Sequence, residues 1–350
     1  MVEDGEELGG SGSAVTVAYE TWGTLNEDAS NAILVPHALT GDSHAAGPET
    51  VGHAAEGWWD ALIGPGLAID TNRFFVVSSN VLGGCQGTTG PSSLDPSGKP
   101  WGSRFPVVTI RDQATVEFAL ADALGIDVFY AVIGGSMGGM RALEMAIMEP
   151  HRVGRLVLLA TGPAATAEQI ALCHAQAQAL ILDPGFHHGD YYDAPPGEGP
   201  WRGLGAARRI GQITYRTRAE LIERFGRQAQ GGENALRGGR YAVESYLDHH
   251  AEKLSRRFDA NTYLVLCTAM NHHDVGRGRG GIDAALGQIT APTTVIGFDT
   301  DRLYLLDEQQ QLVDGIPGAA PLITLSSRFG HDAFLVESDA ISPHLVAALV

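Results

Sequence analysis

The architecture of this chain can be inferred from Val132-Ile133-Gly134-Gly135-Ser136-Met137-Gly138-Gly139-Met140. A run of apolar residues leads into a G-x-S-x-G motif, and small and apolar residues at 141–148 predict a helix directly after it. Glycines two residues before and two after Ser136 let the strand and helix approach closely while the serine sits in a strained turn. In this context of strand, turn and helix, the motif predicts a nucleophilic serine. A plain glycine-rich strand-to-helix turn is the alternative interpretation.

Short apolar runs bounded by turn signals recur on both sides of this segment. We expect strands at residues 32–35, 74–78, 128–133, 156–159, 293–297 and 322–325. Runs without strict polar alternation are typical of a sheet that is buried on both faces. Between several of them lie helical patterns, such as residues 111–124, where apolar side chains recur at spacings of three and four. Strands that alternate with helices indicate an α/β protein with a mainly parallel central sheet.

One connection between predicted strands is much longer than the others. About 130 residues separate the strand that ends near Ala160 from the strand that starts at Thr293, which is far beyond an ordinary crossover. Helical patterns fill this stretch, at residues 167–182, 205–212, 219–229, 241–258 and 261–270. We therefore expect the first part of the core at residues 1–162, a helical lid insertion at 163–288 and the second part of the core at 289–350.

The composition argues against several classes of function. The 350 residues include 23 Lys and Arg against 41 Asp and Glu, a net charge of −18, and such a field repels nucleic acids and anionic lipid surfaces. No uncharged apolar run reaches the ~18 residues of a membrane span, and the acidic N-terminus is unlike a signal peptide. Cys85, Cys173 and Cys267 are widely spaced, which is typical of a reducing compartment. We therefore expect a cytoplasmic protein that binds neither nucleic acid nor membranes.

A serine nucleophile requires a base that accepts its proton and an acid that orients the base. In this architecture the acid and then the histidine follow the serine along the chain. His331 follows the last predicted strand and is the expected base, with a loop histidine satisfied by backbone groups as the alternative. Asp299 and Asp301 both follow the strand at 293–297, at the sheet edge where such folds carry their chemistry. Spacing does not separate these two aspartates, because either of them can cap the next helix.

Acyl transfer also requires two N–H donors that stabilise the negative oxygen of the transition state. The backbone amide of Met137, directly after the nucleophile, is the first expected donor. The second is expected from the loop at residues 35–41, in which Leu39 is the favoured donor. We expect His37 to stabilise this loop rather than to catalyse.

Other motifs favour structural roles. The pairs His187-His188, His249-His250 and His272-His273 lack the HExxH form or a CxxC companion, so no metal site is expected. The glycine-rich loop at residues 83–90 lacks the Gly-Lys-Ser/Thr ending of a phosphate-binding loop, which argues against nucleotide hydrolysis.

Further motifs follow one another along nearly the whole chain. They are His37-Ala-Leu-Thr-Gly-Asp-Ser-His44, Asn80-Val-Leu-Gly-Gly-Cys85, Gly87-Thr-Thr-Gly-Pro-Ser-Ser93, Trp101-Gly-Ser-Arg-Phe-Pro-Val-Val-Thr-Ile-Arg-Asp112, Gly134-Gly-Ser-Met-Gly-Gly139, Asp301-Arg-Leu-Tyr304 and Gly330-His-Asp-Ala-Phe-Leu335. Together they resemble the homoserine O-acetyltransferases of the α/β-hydrolase superfamily. The resemblance implies an α/β-hydrolase fold with a helical lid, an enzyme of methionine biosynthesis that needs no cofactor, and a homodimer formed through the insertion.

The resemblance also implies the catalytic roles. Ser136 would be the acylated nucleophile, His331 the base and Asp301 the acid, because the family's acid immediately precedes an x-Leu-aromatic triplet. Acetyl-CoA would acylate the serine, and L-homoserine would then accept the acetyl group in a ping-pong cycle. Relatives that use succinyl-CoA or accept serine share the scaffold, and an esterase or thioesterase would use the same triad, so these alternatives stay open.

Substrate-binding residues are implied in the insertion and after the catalytic histidine. Arg208 would bind the carboxylate of homoserine, since an arginine fork suits a planar carboxylate. Tyr215 would line the pocket, and Asp332 would contact the amino group. The arginines of the insertion, Arg277 and Arg279 among them, are expected to make the mouth positive for the phosphates of coenzyme A.

Overall fold

A central sheet organises the computed structural model, which describes residues 14–50, 52–53, 55–195 and 197–350. The strands in these ranges are β1 (Tyr19–Trp22), β2 (Ala32–Leu34), β3 (Ile63–Gly64), β4 (Ile69–Asp70), β5 (Phe75–Ser79), β6 (Ala131–Gly135), β7 (Leu156–Leu159), β8 (Thr293–Phe298) and β9 (Ile323–Leu325). The main sheet has the order β1-β5-β2-β6-β7-β8-β9, in which β1 is antiparallel to β5 and the other pairs are parallel. The predicted mainly parallel sheet is confirmed.

Helices cover both faces of this sheet. Their bounds are α1 (Ile110–Ala123), α2 (Met137–Met148), α3 (Ala167–Ile181), α4 (Trp201–Tyr215), α5 (Arg218–Phe225), α6 (Ala242–Ser255), α7 (Ala260–Asn271), α8 (Ile282–Leu286), α9 (Leu306–Gly315), α10 (Ala333–Val336) and α11 (Ser338–Ala348). Alternate residues of one strand enter opposite cores: Leu34 packs with Phe118 and Leu143, whereas Ile33 packs with Ile341. Because both faces are covered, the inner strands β2 and β7 consist of buried apolar residues, and each fully buried aliphatic side chain contributes about 1.5–3 kcal/mol.

The long connection between β7 and β8 forms helices α3 to α8. These helices share an apolar cluster with the start of α2: Leu204 and Leu266 of the insertion pack in the same cluster as Met137 and Met140. The insertion therefore lies over the end of the sheet at which α2 begins. Among the described residues, none of the helices is long and apolar enough to cross a membrane.

Helix α4 starts earlier than the sequence pattern predicted. The predicted helix begins at residue 205, after a stretch rich in proline and glycine at residues 194–205. In the structure α4 begins at Trp201 and includes Gly203. A Cβ at Gly203 would lie 2.7 Å from the carbonyl oxygen of Ala179 on α3. Gly203 is thus a contact point between two helices, and close packing outweighs its low helix propensity.

Candidate active site

Ser136 lies in a sharp turn between β6 and α2. Its backbone has φ 54° and ψ −125°, a conformation that costs a non-glycine residue on the order of 1–3 kcal/mol. The neighbouring glycines make this turn possible: a Cβ at Gly138 would lie 2.0 Å from the carbonyl oxygen of Pro36, and a Cβ at Gly134 would lie 2.3 Å from that of Gly138. The predicted spacing of glycines around the serine therefore has a direct steric cause.

The structure brings Ser136, His331 and Asp301 into one hydrogen-bonded chain. The Oγ of Ser136 lies 2.9 Å from Nε2 of His331, and Nδ1 of His331 lies 2.8 Å from Oδ2 of Asp301. All three residues are buried, with 4–5% of their surface exposed. Since a carboxylate only accepts, Nδ1 carries the proton and Nε2 is left to accept the serine proton. This arrangement suits a serine that attacks an acyl group.

The two aspartates after β8 have different positions. Oδ1 of Asp301 accepts hydrogen bonds from the backbone amides of Leu303 at 2.8 Å and Tyr304 at 3.1 Å, which leaves Oδ2 aimed at the histidine. Asp299 instead accepts a hydrogen bond from the amide of Ser327 at 3.2 Å. Geometry thus places Asp301 beside the base and Asp299 against the loop that follows β9, a distinction that spacing alone left open.

The loop at residues 35–41, called the oxyanion loop below after its predicted role, packs against the start of α2, close to Ser136. Leu39 and Met137, whose amides are the predicted oxyanion donors, are both buried and belong to one apolar cluster. His37 in this loop donates from Nδ1 to the carbonyl of Ala38 at 2.7 Å and accepts at Nε2 from the amide of Val81 at 3.1 Å. Burial, reinforced by the charge of Arg141, lowers the pKa of His37 to about 3. His37 is therefore a neutral, fully hydrogen-bonded part of the loop.

Helix α4 carries two of the predicted substrate-binding residues towards the triad. Nη1 of Arg208 lies 3.4 Å from Oγ1 of Thr40, and its guanidinium carbon lies 5.5 Å from the centre of the Tyr215 ring. The ring of Tyr215 is 5.9 Å from the ring of His331. The adjacent Arg209 points elsewhere and pairs with Asp248 on α6 at 2.8 Å. Only the first arginine of the pair thus faces the triad.

Asp332 has a charged partner that sequence reasoning missed. Nε of Arg216, the residue after Tyr215, lies 2.9 Å from Oδ2 of Asp332. Burial raises the pKa of Asp332, and the positive charges of Arg216 and Arg208 oppose that increase. In the sequence Arg216 is marked only by its place directly after Tyr215, and no local pattern shows which carboxylate it contacts.

A cavity of about 550 Å³ opens beside the loop at residues 35–41. Its wall includes Thr40 of the oxyanion loop and the cationic residues Arg208, Lys253, Arg256 and Arg257. The side chain of Arg257 also donates to the carbonyl of Thr40 at 2.7 Å. The wall also includes Glu56, Glu252 and Asp42, of which Glu252 pairs with Arg256 and Asp42 lies 3.8 Å from Arg257.

The expectation that Arg279 lines the mouth of the site is wrong. Its Nη1 lies 2.7 Å from Oε2 of Glu144, a buried residue in α2. Arg111 of α1 contacts the other oxygen of Glu144 at 3.2 Å and donates to the carbonyl of Arg277 at 2.7 Å. The glycine-rich turn of residues 276–281 is therefore anchored to the helices beside the sheet.

Within the described ranges, Glu20, His44 and His53 form a group whose side-chain atoms lie close enough to be considered as metal ligands. The two imidazole rings stack at 3.9 Å with an angle of 6° between their planes. Nearly parallel rings direct their in-plane lone pairs side by side, whereas tetrahedral coordination requires the lone pairs to converge on one point. Glu20 also accepts from Nδ1 of His44 at 2.8 Å and from Oγ of Ser43 at 2.7 Å. We interpret the group as a polar contact between β1 and the loop after Gly41.

Comparison with known proteins identifies the family. The family model described as the alpha/beta hydrolase fold matches residues 31–337. The homoserine O-acetyltransferase of Thermobifida fusca is 60% identical over 96% of this chain and 88% of its own length, and that of Clavibacter michiganensis is 53% identical over 98% and 89%.

Solved structures with the same fold include both transferases and esterases. The homoserine O-acetyltransferase of Bacillus anthracis has a TM-score of 0.87 at 29% identity and covers 96% of this chain and 92% of its own. Esterase E22 has a TM-score of 0.86 at 32% identity and covers 96% and 94%. The resemblance seen in the motifs is confirmed by the curated relatives. The chain belongs to the homoserine O-acetyltransferase family, within the α/β hydrolase fold.

Proposed function

We propose that this chain transfers an acetyl group from acetyl-CoA to the hydroxyl of L-homoserine, a step of methionine biosynthesis. The main structural support is the contact chain from Ser136 through His331 to Asp301, which lies beneath an insertion that turns Arg208 towards it. The 60% identity with the Thermobifida fusca homoserine O-acetyltransferase supports the choice of substrates.

In the first half-reaction Ser136 attacks the carbonyl carbon of the thioester. His331 accepts the serine proton at Nε2, and Asp301 holds the imidazole in the correct tautomer and stabilises its positive charge. The amides of Met137 and Leu39 stabilise the negative oxygen. When the C–S bond breaks, the proton moves from His331 to the sulfur of coenzyme A, and an acetyl ester remains on Ser136.

In the second half-reaction homoserine takes the place of coenzyme A. His331 accepts the proton of its hydroxyl, the oxygen attacks the acetyl ester, and Ser136 leaves with the proton returned by His331. The cycle is ping-pong and needs no cofactor, because the serine itself carries the acyl group.

Charge matching selects the amino-acid acceptor in this proposal. The fork of Arg208 binds the carboxylate, Tyr215 closes the wall beside His331, and Asp332 binds the ammonium group. Arg216 favours the ionised form of Asp332, which burial alone disfavours, so that a negative charge is available for the ammonium. Water carries neither of these charged groups and gains nothing from them.

Coenzyme A enters, in this proposal, through the cavity beside the oxyanion loop. Its wall carries four cationic side chains against three acidic ones, although the net charge of the chain is −18; the cations are Arg208, Lys253, Arg256 and Arg257, and the acids are Asp42, Glu56 and Glu252. Association follows the local field more than the total charge, so an acidic protein can still attract phosphates here.

We further propose a homodimer in the cytoplasm. The insertion exposes large apolar side chains, among them Leu182 (75% exposed) and Ile222 (54% exposed), which suit a subunit interface. The thiols of Cys85, Cys173 and Cys267 are free, in keeping with a reducing compartment. Light scattering should give the mass of two chains, whereas a single-chain mass would contradict the dimer.

Ester or thioester hydrolysis is the competing function, because esterase E22 shares this fold and the same scaffold can pass an acyl group to water. The deciding assay follows thiol release from acetyl-CoA and from succinyl-CoA, each with homoserine, serine or water as the sole acceptor. Release from acetyl-CoA that depends on homoserine supports the proposal. Release independent of the acceptor would indicate a thioesterase, and preference for succinyl-CoA would keep the mechanism but change the acyl donor.

A further inference from the structure

A buried ion pair lies directly behind the nucleophile turn. The side chains of Arg141 in α2 and Glu117 in α1 are 0% and 3% exposed, and Nη1 of the arginine lies 2.6 Å from Oε1 of the glutamate. The other oxygen of Glu117 accepts a hydrogen bond from Oγ of Ser79, at the end of β5, also at 2.6 Å. The guanidinium is thus fixed from one side by a carboxylate that is itself held by the sheet.

The second arm of the guanidinium reaches the oxyanion loop. Nη2 of Arg141 donates to the carbonyl oxygen of His37, two residues before Leu39. At the same place the backbone of Gly138 packs against the carbonyl of Pro36. Arg141 therefore links the helix that begins with Met137 to the loop that contains Leu39, and these two residues supply the two proposed oxyanion donors.

Stability alone is a weak reason for burying such a pair. Removing two charges from water is costly, and replacing buried ion pairs by apolar residues is often neutral or stabilising. Burial raises the pKa of Glu117 and lowers that of Arg141, while their mutual attraction opposes both shifts. The contact with His37 gives the pair a function that an apolar replacement would lack, namely a fixed position for one loop carbonyl.

We propose that Arg141, held by Glu117, is a positioning residue for the oxyanion hole. By fixing the carbonyl of His37 it sets the direction of the Leu39 amide relative to the Met137 amide. Two donors stabilise the transition state only when both are aimed at the position that the oxyanion will occupy. The inference rests on the proposed use of Ser136 as an acylated nucleophile, but not on the identity of the acceptor.

A second buried network in the same helix provides a matched control. Glu144 is 1% exposed and pairs with Arg111 and Arg279, one turn after Arg141. Its partners belong to α1 and to the turn at residues 276–281, and neither is part of the oxyanion loop. Breaking this network also leaves buried charge without its partner, but should leave the direction of the Leu39 amide unchanged.

The test measures acylation of Ser136 by p-nitrophenyl acetate, so that the result does not depend on homoserine. Arg141→Lys keeps a positive charge beside Glu117 but loses the second arm, and Arg141→Met and Glu117→Gln remove the pair. We expect each to reduce the acylation rate constant about 10–100-fold, less than the full loss of one oxyanion donor, with little change in KM. Glu144→Gln should keep the acylation rate within about twofold of the wild type, even if its melting temperature falls as far as that of the Arg141 and Glu117 variants.

Rate and stability together decide the outcome. A folded Arg141→Lys protein that acylates at the wild-type rate would overturn the inference. The inference would also fail if the Arg141 and Glu117 variants lost no more acylation rate than a Glu144→Gln protein with the same decrease in melting temperature. If Arg141→Met does not fold, Arg141→Lys and Glu117→Gln carry the test. Failure of homoserine-dependent transfer in the wild-type protein, with normal acylation of Ser136, would contradict the proposed function and leave this inference standing.

Discussion

The sheet and the insertion contribute to the site in different ways. The residues proposed to handle the acyl group are Ser136, Asp301 and His331, each of which follows a strand of the sheet. They are buried and joined by hydrogen bonds of 2.8–2.9 Å. The insertion contributes Arg208, whose hydrogen bond to Thr40 is longer, at 3.4 Å. A transferase and an esterase both match this fold over 96% of the chain. In our proposal the sheet supplies the acyl chemistry, while Arg208 of the insertion and Asp332 after β9 select the acceptor.

The largest effect should come from the nucleophile, on the sheet side of the comparison. Ser136→Ala removes the oxygen that accepts the acetyl group, so we expect thiol release and transfer to fall by at least about 10⁴-fold. Thiol release from acetyl-CoA measures both, and intact mass should show an acetyl adduct on the wild-type protein only. Substantial homoserine-dependent transfer by the variant would mean that acetyl-CoA reacts directly with the acceptor.

A large but smaller effect should separate the two aspartates. Asp301→Asn keeps the shape of the side chain but disfavours the tautomer that leaves Nε2 of His331 free, so kcat should fall about 10³–10⁴-fold. Asp299→Asn alters only the contact with Ser327 and should change kcat less than about threefold. Steady-state rates at saturating substrate measure both variants. Equal losses would contradict the assignment of Asp301 as the acid.

The insertion side should respond in KM rather than in acylation. Arg208→Lys keeps the charge but loses the two-pronged contact with a carboxylate, so KM for homoserine should rise about tenfold or more. Acylation of Ser136 by acetyl-CoA should stay near the wild-type rate. Arg209→Lys is the matched control, because that side chain pairs with Asp248. A loss confined to the acylation step would move Arg208 out of the acceptor pocket and weaken the comparison.

The two regions also differ in how far sequence predicts them. The turn at Ser136 is a local feature, since its glycines, strand and helix are consecutive in the chain, and the prediction of its geometry needed no distant residue. By contrast, Arg279 was expected at the mouth of the site but contacts Glu144, 135 residues away. The partner of Asp332 was missed for the same reason, because tertiary packing selects Arg216 and no local pattern records that choice.

The smallest effect concerns Glu308, where the insertion meets the sheet domain. Gln169, in the first turn of α3, donates to Oε2 of Glu308 at 3.1 Å and to the carbonyl of Leu303 at 2.7 Å. Burial, with a smaller contribution from the charges of Asp307 and Asp301, raises the pKa of Glu308 from 4.5 to about 7, although hydrogen bonds from Gln169 and from the backbone of Leu305 oppose the shift. Because the folded protein holds this proton more tightly than the unfolded chain, stability from this group decreases as the pH rises from 4.5 through 7.

Glu308→Gln mimics the protonated carboxyl group and should remove that part of the pH dependence. We expect the variant and the wild type to melt at similar temperatures near pH 4.5, and the variant to melt a few degrees higher, on the order of 1–4 °C, at pH 8. Thermal melts across this range measure the difference. Asp314→Asn removes an exposed carboxylate from the same helix and serves as the control, with no gain expected that grows with pH. If Glu308→Gln raised the melting temperature equally at both pH values, the stability of the protein would not depend on the ionisation of Glu308.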